Sequence, residues 1–247
     1  DWLAEVAPVG ARARVLDLAC GSGPLLELLH GRDADLRLTG ADMCPEELAL
    51  ARRRMPEDAA ELLQTEAQDM AALPDGSMDV VLCHWALTLM DPVTPVLDEV
   101  RRVLADGGRF AALVDGPMEA TPGYEAVHDL IYGHVQAELP GYGDVDLGDP
   151  RVRDTDSLVE LVHEAFADAD VTVETGVVTM EGPSEEVAEA AAGFFYSAFV
   201  LSPERRARML RDLARLLATS PVTSDAPRGQ GTKGCFAMPV NRLLVAL

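Results

Sequence analysis

The chain has 247 residues, 48% hydrophobic and 25% charged, with 42 acidic against 20 basic side chains for a formal net charge of −22. This is the composition of an ordinary globular protein, long enough to bury a core without disulfides or metals. So negative a surface repels a phosphate backbone and anionic lipid, so nucleic acid and membrane are not expected partners.

The elements follow in chain order. ARVLDLA (13–19) is a short apolar run bounded by glycines, the pattern of a buried parallel strand. PLLELLH (24–30) opens a helix on Pro24, where the missing N–H is not needed. DLRLTGAD (35–42) is expected as strand two and CPEELALARRRM (44–55) as helix two. Glu46 and Glu47 suit the positive end of that helix and Arg52 to Arg54 its negative end. ELLQTEA (61–67) and MDVVLCHWAL (78–87) are expected as strands three and four. PVTPVLDEVRRVLA (92–105) reads as an amphipathic helix stopped by the DGG at 106–108, with RFAALVD (109–115) as strand five. This alternation predicts right-handed βαβ units and a doubly wound, mostly parallel α/β sheet, with ligands beyond the carboxyl ends of the strands.

The second half is less regular. Residues 116–150 are rich in Gly, Pro, Asp and Tyr around one helical piece, GYEAVHDLIYGHVQAEL, and are expected to form a lid insertion. SLVELVHEAFADA (157–169) reads as a helix and VTVETGVVTM (171–180) as a strand. Residues 184–219 read as two helices broken near Ser202–Pro203, a second cap insertion; 220–232 reads as a mobile loop and CFAMPVNRLLVAL (235–247) as the last strand. One domain over 1–247 is expected, with its ligand-binding core at 12–114. The four cysteines, Cys20, Cys44, Cys83 and Cys235, are scattered without a C-x-x-C pair, as expected for reduced thiols in a cytoplasmic protein. There is no signal-peptide pattern and no apolar run of ~18 residues; DWLAEVAP opens inside an element, as if residues precede it. Arginine almost completely replaces lysine, which with abundant alanine points to a GC-rich bacterial genome.

The stretch VLDLACGSGP (15–24) carries the chemistry. Gly21 and Gly23 permit positive φ and close approach of a ligand, and the helix after them offers free N–H groups. There is no lysine for a P-loop, and Leu26 stands where a dinucleotide fingerprint needs a third glycine. Asp17, before the turn, would repel a pyrophosphate and suits a cationic amino group. Asp42 ends the next strand, where an acid grips two ribose hydroxyls. An amino-acid-bearing nucleoside such as S-adenosylmethionine meets these demands.

These residues resemble the first motif of class I S-adenosylmethionine-dependent methyltransferases of the small-molecule type. LTGADMCPEELALARRR is similar to the second motif of that family, AQDMAALPDGSMDVVLCHWAL to its third and fourth, and LDEVRRVLADGGRFAALV to the helix and turn before strand five. The resemblance covers about residues 12–114 and implies a seven-stranded Rossmann-like methyltransferase fold. Ala19 replaces the first loop glycine as a small residue. By resemblance, Asp17 and the backbone around Ala19, Gly21 and Gly23 face the methionine part. Asp42 binds the ribose, Met43 packs on the adenine, Asp69 accepts from the adenine amino group and Met70 offers its backbone N–H. Cys83 and His84, just past strand four, lie near the sulfonium.

His84 is the candidate for direct chemistry, a strand-end imidazole able to take a proton from an acceptor N–H or O–H; the alternative is a histidine that only hydrogen-bonds. Trp85, Tyr124, His128 and Phe195 are candidates to touch the acceptor, and GFFYSAF would place Phe195 and Phe199 on one helical face. CHWA stands where base and amide methylases carry [DN]-P-P-[YF], which argues against nucleic acid. Asp115 alone does not make a metal site, so no metal is expected. The expected activity is methyl transfer from S-adenosylmethionine, leaving S-adenosylhomocysteine, to an N, O or C atom of an aromatic or heterocyclic small molecule of specialised metabolism, by a monomer or homodimer. A non-methylating enzyme on the same cofactor, through cyclisation or decarboxylation, and a catalytically silent homologue are the alternatives.

Overall fold

Strand β1 (Arg14–Leu18) is paired in parallel along both edges, with β2 (Arg37–Asp42) and β4 (Met78–His84), and Val15 to Leu18 are all buried, so both its faces are covered. The computed structural model describes residues 2–143, 148–219 and 233–247; the loop expected at 220–232 lies outside them. Beyond β2 lies β3 (Ala60–Gln64), and beyond β4 lies β5 (Leu104–Asp115), each again parallel to its neighbour. With β6 (Asp170–Pro183) and β7 (Lys233–Ala246) these strands form a seven-stranded mixed sheet in the order β3-β2-β1-β4-β5-β7-β6. This is the Rossmann-like α/β architecture expected.

Alternation along β1 sends Leu16 and Leu18 into the main apolar cluster and Asp17 to the opposite face. That cluster takes in Val96, Leu97, Val100 and Val103 from α4 (Thr94–Val103) and Leu158, Leu161 and Val162 from α6 (Thr155–Ala165). On the other side, α2 (Pro24–Arg32) lays Leu26 on Gly40 of β2. A Cβ at Gly40 would stand 2.7 Å from Leu26 Cδ1 and 2.9 Å from both Cys20 Sγ and Leu62 Cδ2. The glycine therefore sets how closely helix, loop and strand meet.

Three boundaries differ from expectation. Helix α4 ends at Val103, and Asp106–Gly108 lie within β5 instead of capping the helix; the β4–β5 register shifts between Met78 and Val80, which accommodates the extra residues. Strand β4 ends at His84, and the chain then turns through a 3-10 segment, Leu87–Leu89. The first of the two helices expected in 184–219 is short. α7 (Ser184–Ala192) stops at Gly193, a 3-10 segment covers Tyr196–Val200, and α8 (Pro203–Ala218) follows, its N-terminus capped by Ser202.

The chain divides into two compact units. One comprises Asp1–Asp115, Leu147–Thr175 and Asn241–Leu247; the other comprises Gly116–Asp146 and Gly176–Val240. The second unit is built around α5 (Tyr124–Glu138), α7 and α8; Glu138 accepts from the backbone N–H of Ser202, and His134 Nε2 lies 3.2 Å from Asp212. Among the described residues no helix is long and apolar enough to cross a membrane.

The crowding at Gly40 makes a test of the packing. Gly40→Ala is expected to cost about 1–3 kcal/mol in urea unfolding, because three closely packed side chains must give way. Gly31→Ala, in α2 with nothing within 4 Å of a new Cβ, is expected to be neutral or to stabilise by up to about 1 kcal/mol.

Candidate active site

The turn from β1 into α2 runs through three left-handed residues, Ala19 (φ 56°), Gly21 (φ 51°) and Gly23 (φ 79°). Two are glycines, which adopt this region freely. Ala19 adopts it at a steric cost of roughly 1–2 kcal/mol, so it is more than a neutral replacement for glycine. The turn is held from β2: Cys20 donates its N–H to Ala41 O at 3.0 Å, and Gly21 donates to Asp42 Oδ2 at 2.8 Å. Asp42 Oδ1 accepts from Cys44 N–H, also at 2.8 Å, which begins α3 (Pro45–Arg54). Both oxygens of Asp42 thus organise backbone, and each retains a further lone pair for a ligand hydroxyl. From outside, Arg54 donates to Ser22 O and pairs with Glu27 on α2.

Asp17 lies beneath this turn, 1% exposed, and neither carboxylate oxygen has a hydrogen-bond partner. Burial without compensation penalises the charged form, and Asp42 adds like-charge repulsion, so the carboxyl is pushed up to about 8. An orphaned buried carboxylate beside a glycine cradle fits a ligand with a cationic amino end. The spare acceptors on Asp42 fit a diol, and Met43, 68% exposed at the end of β2, offers an apolar face. S-adenosylmethionine carries all three groups.

At the ends of β4 and β5 a second cluster forms. His84 is exposed at the tip of β4, and the protein around its ring holds the imidazole below its ordinary value through desolvation. Trp85 follows with φ 61°, an uncommon conformation for so bulky a residue and therefore one that its surroundings must enforce. Its N–H donates to Leu113 O at 3.1 Å, and its indole Nε1 donates to Asp115 Oδ1 at 2.9 Å. Arg153 lies 3.7 Å from the other oxygen of Asp115 and donates to Thr88 O at 3.0 Å. Gly148 packs on the same Thr88 carbonyl so closely that any Cβ would collide with it. The indole so anchored meets the His84 ring edge-on, 5.6 Å between centroids.

Several sequence expectations are corrected. Met70 N–H, expected to face an adenine, donates to Glu99 Oε2 at 2.7 Å, and Arg102 binds both Glu99 and Met70 O, so this group is already engaged. Cys83 lies within β4, not past it; its side chain is in the main core and its thiol is pushed up to about 12 by burial. Asp69 is not among these corrections; it is exposed beyond the end of β3. Phe195 and Phe199 share no helical face: Phe195 is buried before a 3-10 segment, and Phe199 is exposed within it. Tyr124, His128 and Phe195 do come together in the second unit, with Tyr124–Phe195 centroids at 5.9 Å and His128–Phe195 at 6.4 Å, and Phe236 6.0 Å from Tyr124. The Trp85–Asp115–Arg153 network was not anticipated; Asp115 stood out only as an acid at a strand end.

Comparison with known proteins agrees with this geometry. A family model described as "Methyltransferase domain" matches residues 16–112. The demethylmenaquinone methyltransferase of Thermus thermophilus is 34% identical over 145 residues, 58% of this chain and 62% of that one. The trans-aconitate 2-methyltransferase of Methylobacterium nodulans is 37% identical over 120 residues, 48% of this chain and 44% of that one. The chain thus spans roughly half the length of these curated relatives. A crystal structure of a putative methyltransferase from Bacillus halodurans, 14% identical, superposes with a TM-score of 0.62 over 99% of this chain and 96% of that one, a likeness of fold.

The raised Asp17 carboxyl carries a stability signature. The native state holds a proton there that the unfolded chain releases from its ordinary value of 3.8. Raising pH from about 4 to about 8 therefore costs the native state stability. Asp17→Asn keeps the shape and removes the charge. It is expected to raise the ligand-free stability at pH 8 by at least about 1 kcal/mol and to flatten the fall in Tm between pH 5 and pH 8. An unchanged slope would show that Asp17 ionises normally.

Proposed function

Through residues 16–112 the chain belongs to the class I S-adenosylmethionine-dependent methyltransferases, and on that premise we propose that it transfers the methyl group to an N, O or C atom of a small molecule. One observation carries the reading: the unpartnered Asp17 carboxylate lies under a left-handed turn that Asp42 ties to β2. When bound, the cofactor supplies an electrophilic methyl on a sulfonium, which leaves as a neutral thioether. The chain's own part is chiefly to position and exclude. Asp17 neutralises the ammonium of the methionine end, the glycines of the turn at Ala19 to Gly23 let that end lie close against the backbone, and Asp42 holds the ribose hydroxyls. Met43 covers the adenine and Asp69 accepts from its amino group.

His84 takes the proton that an N–H or O–H acceptor loses. Desolvation keeps its imidazole neutral at pH 7, the form able to accept. Trp85, fixed by Asp115, supplies an apolar wall next to it. Relatives named for quinone and trans-aconitate methylation support a small acceptor, and the net charge of −22 argues against nucleic acid or a membrane surface. The strand-end indole of Trp85 beside His84 favours an aromatic or heterocyclic acceptor. The donor chemistry needs no metal, and a cytoplasmic monomer or homodimer fits the reading.

Two substitutions test it. Asp42→Ala is expected to weaken S-adenosylhomocysteine binding by about 2–3 kcal/mol in calorimetry, since hydroxyls lose a charged acceptor and the turn loses its tie. A Kd within twofold of wild type would remove Asp42 from the site. His84→Ala is expected to lower turnover of methyl-labelled cofactor by roughly 10²-fold with near-normal S-adenosylhomocysteine affinity. At saturating cofactor the wild-type rate is expected to fall only as pH drops through the lowered histidine value.

A further inference from the structure

Asp17 is enclosed on every side by groups that cannot balance a negative charge. Its own strand is apolar, with Leu16 and Leu18 in the core. From β2 comes Asp42, an acid that repels it. From the turn comes Cys20, its thiol pushed up to about 12 by burial and so neutral, and across the sheet on β4 Cys83 is neutral for the same reason. From α3 comes Glu47, whose carboxylate adds to the negative field at Cys20. Among the described residues no cation acts on Asp17, and neither oxygen accepts a hydrogen bond. An isolated ionised carboxylate in such a place is far too costly; the group neutralises instead.

We propose that Asp17 is a neutral carboxylic acid in the free protein and that a ligand's ammonium group, on entering, displaces the carboxyl proton to solvent. The inference rests on the cofactor reading above and adds to it a proton exchange. The Asp17 O–H bond breaks, the proton passes to a buffer base, and the carboxylate left behind pairs with the ammonium. The raised ionisation of Asp17, about 8, agrees with this order of events. Two consequences follow from linkage. Uptake of the cofactor releases close to one proton per ligand below pH 7. Affinity improves about tenfold per pH unit between pH 6 and 7.5, then levels once Asp17 is ionised in the free protein. Asp17 is then a selectivity device as well as a contact: a nucleoside without an ammonium cannot bring the charge that repays deprotonation, and it binds with the acid left neutral.

The test is calorimetry of S-adenosylhomocysteine binding at pH 6.5 in buffers of different ionisation enthalpy, with carbon NMR of the protein labelled at aspartate carboxyls. The expected result is an observed enthalpy that varies with buffer at a slope of about one proton released. In the free protein one aspartate resonance titrates near pH 8, and saturating ligand moves it to the ionised position at pH 6.5. A slope near zero, or no aspartate titrating above the ordinary range, overturns the proton exchange while leaving the cofactor reading intact. Absence of any binding heat removes the cofactor reading, and this proposal with it.

Discussion

A buried carboxyl group with no partner sits near the centre of the sheet, and the residues of the candidate site are arranged around it. Burial of Asp17 follows from the topology. β1 is the strand between β2 and β4, so a side chain near its carboxyl end is enclosed unless a loop opens above it. Such a group is a cost to the fold that a cationic ligand would relieve. The rest of the site, from the left-handed turn to the helix start, shapes the space in which that would take place.

Asp42 is the counterpart that makes the turn rigid. One carboxylate reaches back to Gly21 and forward to Cys44, joining the first strand–helix connection to the second. Gly40, two residues earlier, lets Leu26 and Cys20 close onto the strand. The acid that ties the turn and the packing glycine thus lie in one strand, so packing in the core sets the shape of the turn. At the ends of β4 and β5 the same economy recurs: Asp115 holds the indole of Trp85, and Arg153 ties Asp115 to the Thr88 carbonyl.

The alternating strands and helices of the first half were legible because each buried strand is apolar and each helix opens with Pro24, Pro45 or Pro95 at its first turn. Asp17 and Asp42 were legible because strand-end acids around a glycine turn have few other uses. What escaped was decided by tertiary contact. Nothing local marks Met70 N–H as already bonded to Glu99, since that partner lies on a helix 29 residues away. DGG looks like a helix stop, but the β4–β5 ladder took those residues into a strand. GFFYSAF has helical composition, yet α7 stops at Gly193, Phe195 stacks on Tyr124 and Phe194 tilts against Phe236, and a 3-10 segment follows. Trp85 in a left-handed conformation is likewise a product of its long-range anchor at Asp115.

The central claim is that the buried Asp17 and the turn above it receive the methionine end of the cofactor. A crystal structure of the protein grown with S-adenosylhomocysteine tests it most directly. The account predicts the ligand's ammonium nearest Asp17, directly or through one water, with the ribose hydroxyls on Asp42. A ligand bound elsewhere, or one that leaves both Asp17 oxygens without a polar partner, would contradict it.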